Sequence, residues 1–134
     1  MIALDTNILV RYDFDDADPQ RDLAIDLIDR RCSPEEPAFV SLVVLVEFAW
    51  VVLQRLKRTK AELVTSLRAL LDNPHLTTER TTVVEGAVED YADGSADFAD
   101  YVIGLVGVVH GAAPTLTFDR RAGREPGFTL LKAS

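Results

Sequence analysis

Short apolar runs alternate with longer stretches of helical periodicity along the whole chain, and this alternation narrows the fold more than any other feature. Residues 2–4 read as a short buried strand, followed by a helical stretch from about Thr6. Asp18-Pro19 starts another helix, with Asp as cap and Pro in the first turn, and its face is Leu23, Ala24, Leu27 and Ile28. Pro37 leads into a strand over residues 38–41. The next helix, residues 42–56, is apolar nearly all round, so it is expected to be buried by its own domain or by a partner. Thr59 and Glu62 form a capping box for a helix over residues 59–73, with Leu63, Leu67, Leu70 and Leu71 facing in. A short strand follows at residues 76–78. Thr82 with Glu85 opens a helix that buries Val84, Ala87, Val88 and Tyr91 and stops at Gly94. Ser95 is the expected cap of a helix over residues 95–111. Strands at residues 115–118, after Pro114, and at residues 128–131, at the sheet edge, complete the order. Four or five short strands and six or seven helices in this sequence describe one three-layer α/β domain over residues 1–134, with a mainly parallel sheet.

The balance of charge excludes some functions. A formal net charge of −8 is wrong for a protein that coats nucleic acid. It is compatible with an enzyme that meets phosphates through bound cations, since each divalent ion reverses the local sign. Arg55, Lys57, Arg58 and Lys60 form one basic run, and Arg120, Arg121 and Arg124 another; either reads equally well as a solvated face. The lone Cys32 offers neither a disulfide within the chain nor a metal framework. Met1 runs straight into Ile2-Ala3-Leu4-Asp5 without the features of a targeting segment, and residues 38–53 are too few to span a bilayer comfortably, so the expected location is the cytoplasm, with no membrane partner.

Carboxylates stand at four places where water should be scarce. Asp5 ends the first strand and Asp119 ends the strand over residues 115–118, and ligands of open parallel sheets bind beyond strand carboxyl ends. Glu47 lies among Val43, Val44, Trp50 and Val51, where an unpaired carboxylate is costly. Asp97 and Asp100 share a helix face with Gly104, Gly107 and Gly111, glycines that make sense where other structure passes closely. Carboxylates gathered together repel unless cations join them, and all-oxygen ligation suits Mg²⁺ or Mn²⁺ rather than zinc. Each acid also has a plainer reading: Asp5 as a helix cap, Asp119 as a turn acid, Asp97 as a helix N-terminal acid, Glu47 in a buried pair with arginine. His75 and His110 lack metal-ligand spacing. The run Asp13, Asp15, Asp16 and Asp18 fails the EF-hand pattern, which needs glycine and glutamate where Asp18 and Ala24 stand, and reads as a solvated loop and cap.

The series Leu4-Asp5-Thr6-Asn7-Ile8-Leu9-Val10-Arg11, Glu47 with Trp50 after it, Asp97-Phe98-Ala99-Asp100 and Thr117-Phe118-Asp119 resembles the PIN-domain family, and within it the VapC-type toxins of type II toxin–antitoxin systems. The resemblance covers essentially the whole chain. It implies a Rossmann-like α/β/α sandwich and an endoribonuclease that hydrolyses RNA phosphodiesters with a water activated by one or two Mg²⁺ or Mn²⁺ ions. Asp5, Glu47, Asp100 and Asp119 match the family's acidic quartet as catalytic residues and metal ligands. Asp97 matches an additional acid, and Asn7 and Thr117 match polar positions that hydrogen-bond the metal-binding carboxylates. The implied partners are RNA, a cognate VapB-like antitoxin and a second copy in a homodimer. An amphipathic antitoxin helix would lie between the helices at residues 42–56 and 59–73. The alternatives are a non-catalytic PIN-like interaction domain and a phosphoacceptor domain. The latter wants a second Asp where Asn7 stands.

Overall fold

The three apolar residues at the start of the chain pair as a strand at a single point. In the computed structural model, which describes residues 1–14 and 18–133, Ala3 bridges Phe39 in parallel. The Leu4 N–H donates to the Phe39 carbonyl at 3.0 Å, and the Phe39 N–H donates to the Ile2 carbonyl at 2.7 Å. The chain divides into two compact units, Met1–Thr81 and Thr82–Ser134.

In the first unit, β1 (Ala38–Val40) pairs in parallel with β2 (Leu76–Thr78), Ala38 opposite Leu76. α1 (Thr6–Asp13) begins at its cap Asp5 and packs on the helix Leu42–Trp50. α2 (Gln20–Asp26) runs into a π-helical turn, Leu27–Arg31. Asp18 holds the start of α2 by accepting from the Gln20 N–H at 2.8 Å. Asp15 and Asp16, read as part of the same acidic loop, lie outside the described residues. Ala24 and Ile28 are buried as expected, but Leu23 is 72% exposed. At about 100° per residue the inward line runs through Ala24 and Ile28, and Leu23 falls on the outer side of it.

α3 (Leu42–Trp50) is capped by Ser41, whose hydroxyl accepts from the Val44 N–H at 3.2 Å, and continues as a second π-helical turn, Val51–Arg55. Leu45, Phe48 and Val52 are buried, whereas Val43 is 78% and Trp50 54% exposed. Within the chain, then, packing covers one side of this helix, and composition alone does not show which. α4 (Lys60–Asp72) carries the expected capping box, with Glu62 N–H to Thr59 Oγ1 and Thr59 N–H to Glu62 Oε1 both at 3.1 Å. It buries Leu63, Leu67 and Leu70.

In the second unit, α5 (Thr81–Asp93) buries Val84, Ala87, Val88 and Tyr91 and begins one residue earlier than expected. α6 (Phe98–Val109) begins after Asp97, not at Ser95. Asp97 and Asp100 form the cap themselves, Asp100 accepting from the Asp97 N–H at 3.1 Å, while the Ser95 N–H donates to Glu125 at 3.0 Å. Tyr91 meets Phe98 and Tyr101 edge-on, at centroid distances of 6.0 and 6.4 Å. β3 (Thr115–Thr117) pairs in parallel with β4 (Phe128–Leu130), with a 3₁₀ turn, Ala122–Arg124, between them in sequence. The close approach expected at Gly104, Gly107 and Gly111 is present at the first two, while Gly111 lies past the end of α6 at a φ of +72° with nothing within 4 Å of a Cβ placed there. A Cβ on Gly104 would stand 2.8 Å from the Phe128 ring, and one on Gly107 would stand 2.7 Å from the Ala112 carbonyl oxygen. All strand pairing among the described residues is parallel, in one ladder per unit. No helix among them is long and apolar enough to cross a membrane.

Candidate active site

The first strand delivers Asp5 to the N-terminus of α1. There its carboxylate accepts from the Thr6 N–H at 2.8 Å, so the capping reading and the site reading describe the same side chain. The Thr6 hydroxyl, on a buried residue, donates to Glu47 of α3 in a short hydrogen bond. Asp5, Thr6, Asn7, Arg11, Glu47, Trp50 and Arg55 face one open pocket of about 480 Å³. Glu47 is exposed to this pocket, and Asp5, Asp97 and Asp119 are exposed too, which corrects the expectation that these acids sit where water is scarce; of the five, Asp100 alone is half-buried. The helical neighbours of Glu47 in sequence are apolar, but the pocket opens on its side of α3. Among the described residues neither Asp5 nor Glu47 forms an ion pair, so the arginine partner considered for Glu47 is not found. Thr6, which donates to Glu47, was missed among the site residues. Its signal was its place between two quoted positions, immediately after the strand-ending Asp5.

The second unit gathers the other acids. Asp100 is half-buried, and burial raises its carboxyl above the ordinary value of 3.8. The Asp97 N–H draws it back down, while the charges of Asp97 and Asp119 push it up and that of Arg121 lowers it. Asp119 lies just past β3, accepting from the N–H groups of Arg121 at 2.8 Å and Ala122 at 3.3 Å. Thr117 acts on the Asp119 backbone rather than its carboxylate, its Oγ1 accepting from the Asp119 N–H at 3.0 Å. Asp97 pairs with Arg121 at 3.3 Å on the surface. His75 is structural, its Nδ1 2.7 Å from the Ile28 carbonyl.

Among the described residues no group of three or more His, Cys, Asp or Glu side chains is arranged to hold a metal ion. The donors fit a hard cation in another way. Mg²⁺ binds through about one or two carboxylates and completes its shell with water and substrate phosphate oxygens. Asp5 with Glu47, and Asp100 beside Asp119, are carboxylate pairs of that kind, and the like-charge pressure on Asp100 is what a cation relieves. The PIN domain family model matches residues 2–125. The chain belongs to the PIN domain family. PIN domains are generally nucleases and usually use divalent metal ions. The match takes in Asp5, Glu47, Asp97, Asp100 and Asp119, and the mixture of helices and parallel strands is that of the PIN fold. No curated protein matches this PIN domain chain.

Proposed function

We propose that this PIN domain is a Mg²⁺- or Mn²⁺-dependent endoribonuclease and the toxic component of a toxin–antitoxin module. The observation that carries the reading is the pair Asp5 and Glu47, which face one pocket without an ion-pairing cation among the described residues and are held there through Thr6. Asp5 and Glu47 in the first unit, and Asp100 and Asp119 in the second with Asp97 in support, are the residues that would hold one or two divalent ions. When bound, a divalent ion supplies a water of lowered pKa and neutralises charge on the phosphate. Thr6 fixes the Glu47 carboxylate, and the N-terminus of α1 holds Asp5 in place, so neither must be ordered when substrate arrives. Glu47, half in solvent and not spent on an arginine, is free to accept a hydrogen bond from a water near the phosphodiester.

The toxin role rests on the likeness of the Asp5, Glu47, Asp100 and Asp119 motifs to VapC-type chains. The proposed partners are RNA, a second copy of the chain and a VapB-like antitoxin, whose amphipathic helix would lie along α3 and α4. The test is cleavage of total RNA with Mn²⁺. Cleavage that disappears with chelator, with Asp5→Asn and with Asp100→Ala is expected; activity persisting through all three sinks the proposal. Growth arrest on expression, relieved by co-expressing a small DNA-binding protein from the adjacent reading frame, tests the toxin role separately.

A further inference from the structure

α3 does not end as a regular helix, and the departure places two side chains together. Trp50 and Arg55 are five residues apart, which in an α-helix separates them by about 140° around the axis. The π-helical turn Val51–Arg55, closed by Leu56 N–H to the Val51 carbonyl at 3.0 Å, winds more slowly and narrows that separation. The Arg55 guanidinium consequently lies 5.7 Å from the centroid of the Trp50 ring. Such turns recur at functional sites. Here both residues line the pocket that Asp5 and Glu47 face, and Glu47, three residues before Trp50, is its neighbour on the helix surface.

Trp50 is 54% exposed, although a large apolar ring gains free energy by being covered. Arg55 is exposed as well and forms no ion pair among the described residues, so its forked donors are available to a ligand. A half-exposed aromatic ring with a guanidinium over it is the combination that holds unpaired bases and their phosphates. A duplex, whose bases are already stacked, presents no such face.

We propose that Trp50 and Arg55 form a platform that stacks one unpaired base of the RNA strand and holds its phosphate, so setting which phosphodiester lies beside Asp5 and Glu47. This rests on the nuclease reading and adds to it two positioning residues. The arginine and the ring act as one unit: the guanidinium orients on the π-face and keeps its N–H fork for phosphate.

The chain has one tryptophan, so the proposal has its own optical reporter. A short single-stranded oligoribonucleotide, titrated in chelator so that nothing is cleaved, should quench tryptophan fluorescence, and the same sequence as a duplex should not. By anisotropy of labelled RNA, Trp50→Ala should raise Kd roughly 5- to 150-fold, the range for loss of one stacked base, and Trp50→Phe should recover most of it. Arg55→Gln should flatten the dependence of affinity on salt by about one phosphate. Unchanged fluorescence on adding the strand, equal quenching by duplex, or wild-type affinity in Trp50→Ala overturns the platform. Quenching in chelator with no cleavage on adding Mn²⁺ leaves the platform standing and removes the nuclease reading, while cleavage without quenching does the reverse.

Discussion

Thr6 links the strand-end acid to the helix acid. Its hydroxyl reaches across 41 residues to Glu47, and its own N–H is tied to Asp5. Thr6→Val keeps the shape and removes the donor. We expect metal affinity or cleavage to fall about 10- to 100-fold, with Thr6→Ser restoring most of it. Calorimetry with Mn²⁺ beside an unchanged circular dichroism spectrum checks this. Asp100 gives a second prediction at this scale. Its folded pKa is raised, first by burial and then by Asp97 and Asp119, so the native state keeps this proton to higher pH than the unfolded chain does. The metal-free protein therefore loses stability as pH climbs from the ordinary 3.8 through the raised value, and the cost is fully present above that window. Asp100→Asn should raise the metal-free Tm at pH 7 and change nothing below the window. The gain should be on the order of a few degrees at most, because water still screens a half-exposed group. A lower Tm for Asp100→Asn at pH 7 would contradict this.

The helices divide into those whose ends are written locally and those whose course depends on neighbours. The Thr59–Glu62 box is local, and Thr59→Ala should cost about 1 kcal/mol in urea unfolding. In α6 the two tight glycines should behave differently. A methyl on Gly104 meets the outer edge of the Phe128 ring, which can swing. The helix propensity recovered, about 1 kcal/mol, should leave Gly104→Ala close to neutral. A methyl on Gly107 meets the Ala112 backbone carbonyl, which cannot move without taking the turn before β3 with it. Gly107→Ala should destabilise by about 1–3 kcal/mol. Equal effects at the two positions would mean that the Phe128 ring is as immobile as the Ala112 backbone. The cap of α6 was misplaced at Ser95 because serine, like aspartate, is a good cap. What selects Asp97 is the return bond from Asp100 and the capture of Ser95 by Glu125, and the second of these lies 30 residues away.

Taken whole, the chain carries a net charge of −8 and still belongs to a family of nucleases. Strong binding through a broad basic surface is not open to it, so affinity for RNA should come from few contacts and a shallow salt dependence should follow. Under the proposed function, divalent ions that bind the folded state alone must stabilise it. At a Mn²⁺ concentration about 100 times its Kd the gain is about 2.7 kcal/mol, which is several degrees in Tm. A thermal scan with and without chelator checks this, and Asp5→Asn should lose most of the shift. A Tm indifferent to Mn²⁺ in the wild-type chain would count against the metal site.

Residue spacing alone determined the alternation of strands and helices, the Thr59 box, the faces of α4 and α5, and the identity of the acids at strand ends. Each of these is an interaction over a few residues, where backbone geometry converts spacing directly into position. The tertiary structure alone decided that Glu47 opens onto a pocket, that Thr6 holds it, that Leu23 and Val43 face outward, and that a π-turn brings Arg55 to Trp50. Those outcomes depend on which surfaces meet after the chain has folded back on itself, and a helix that is apolar on every side gives no local preference for the face that will be covered.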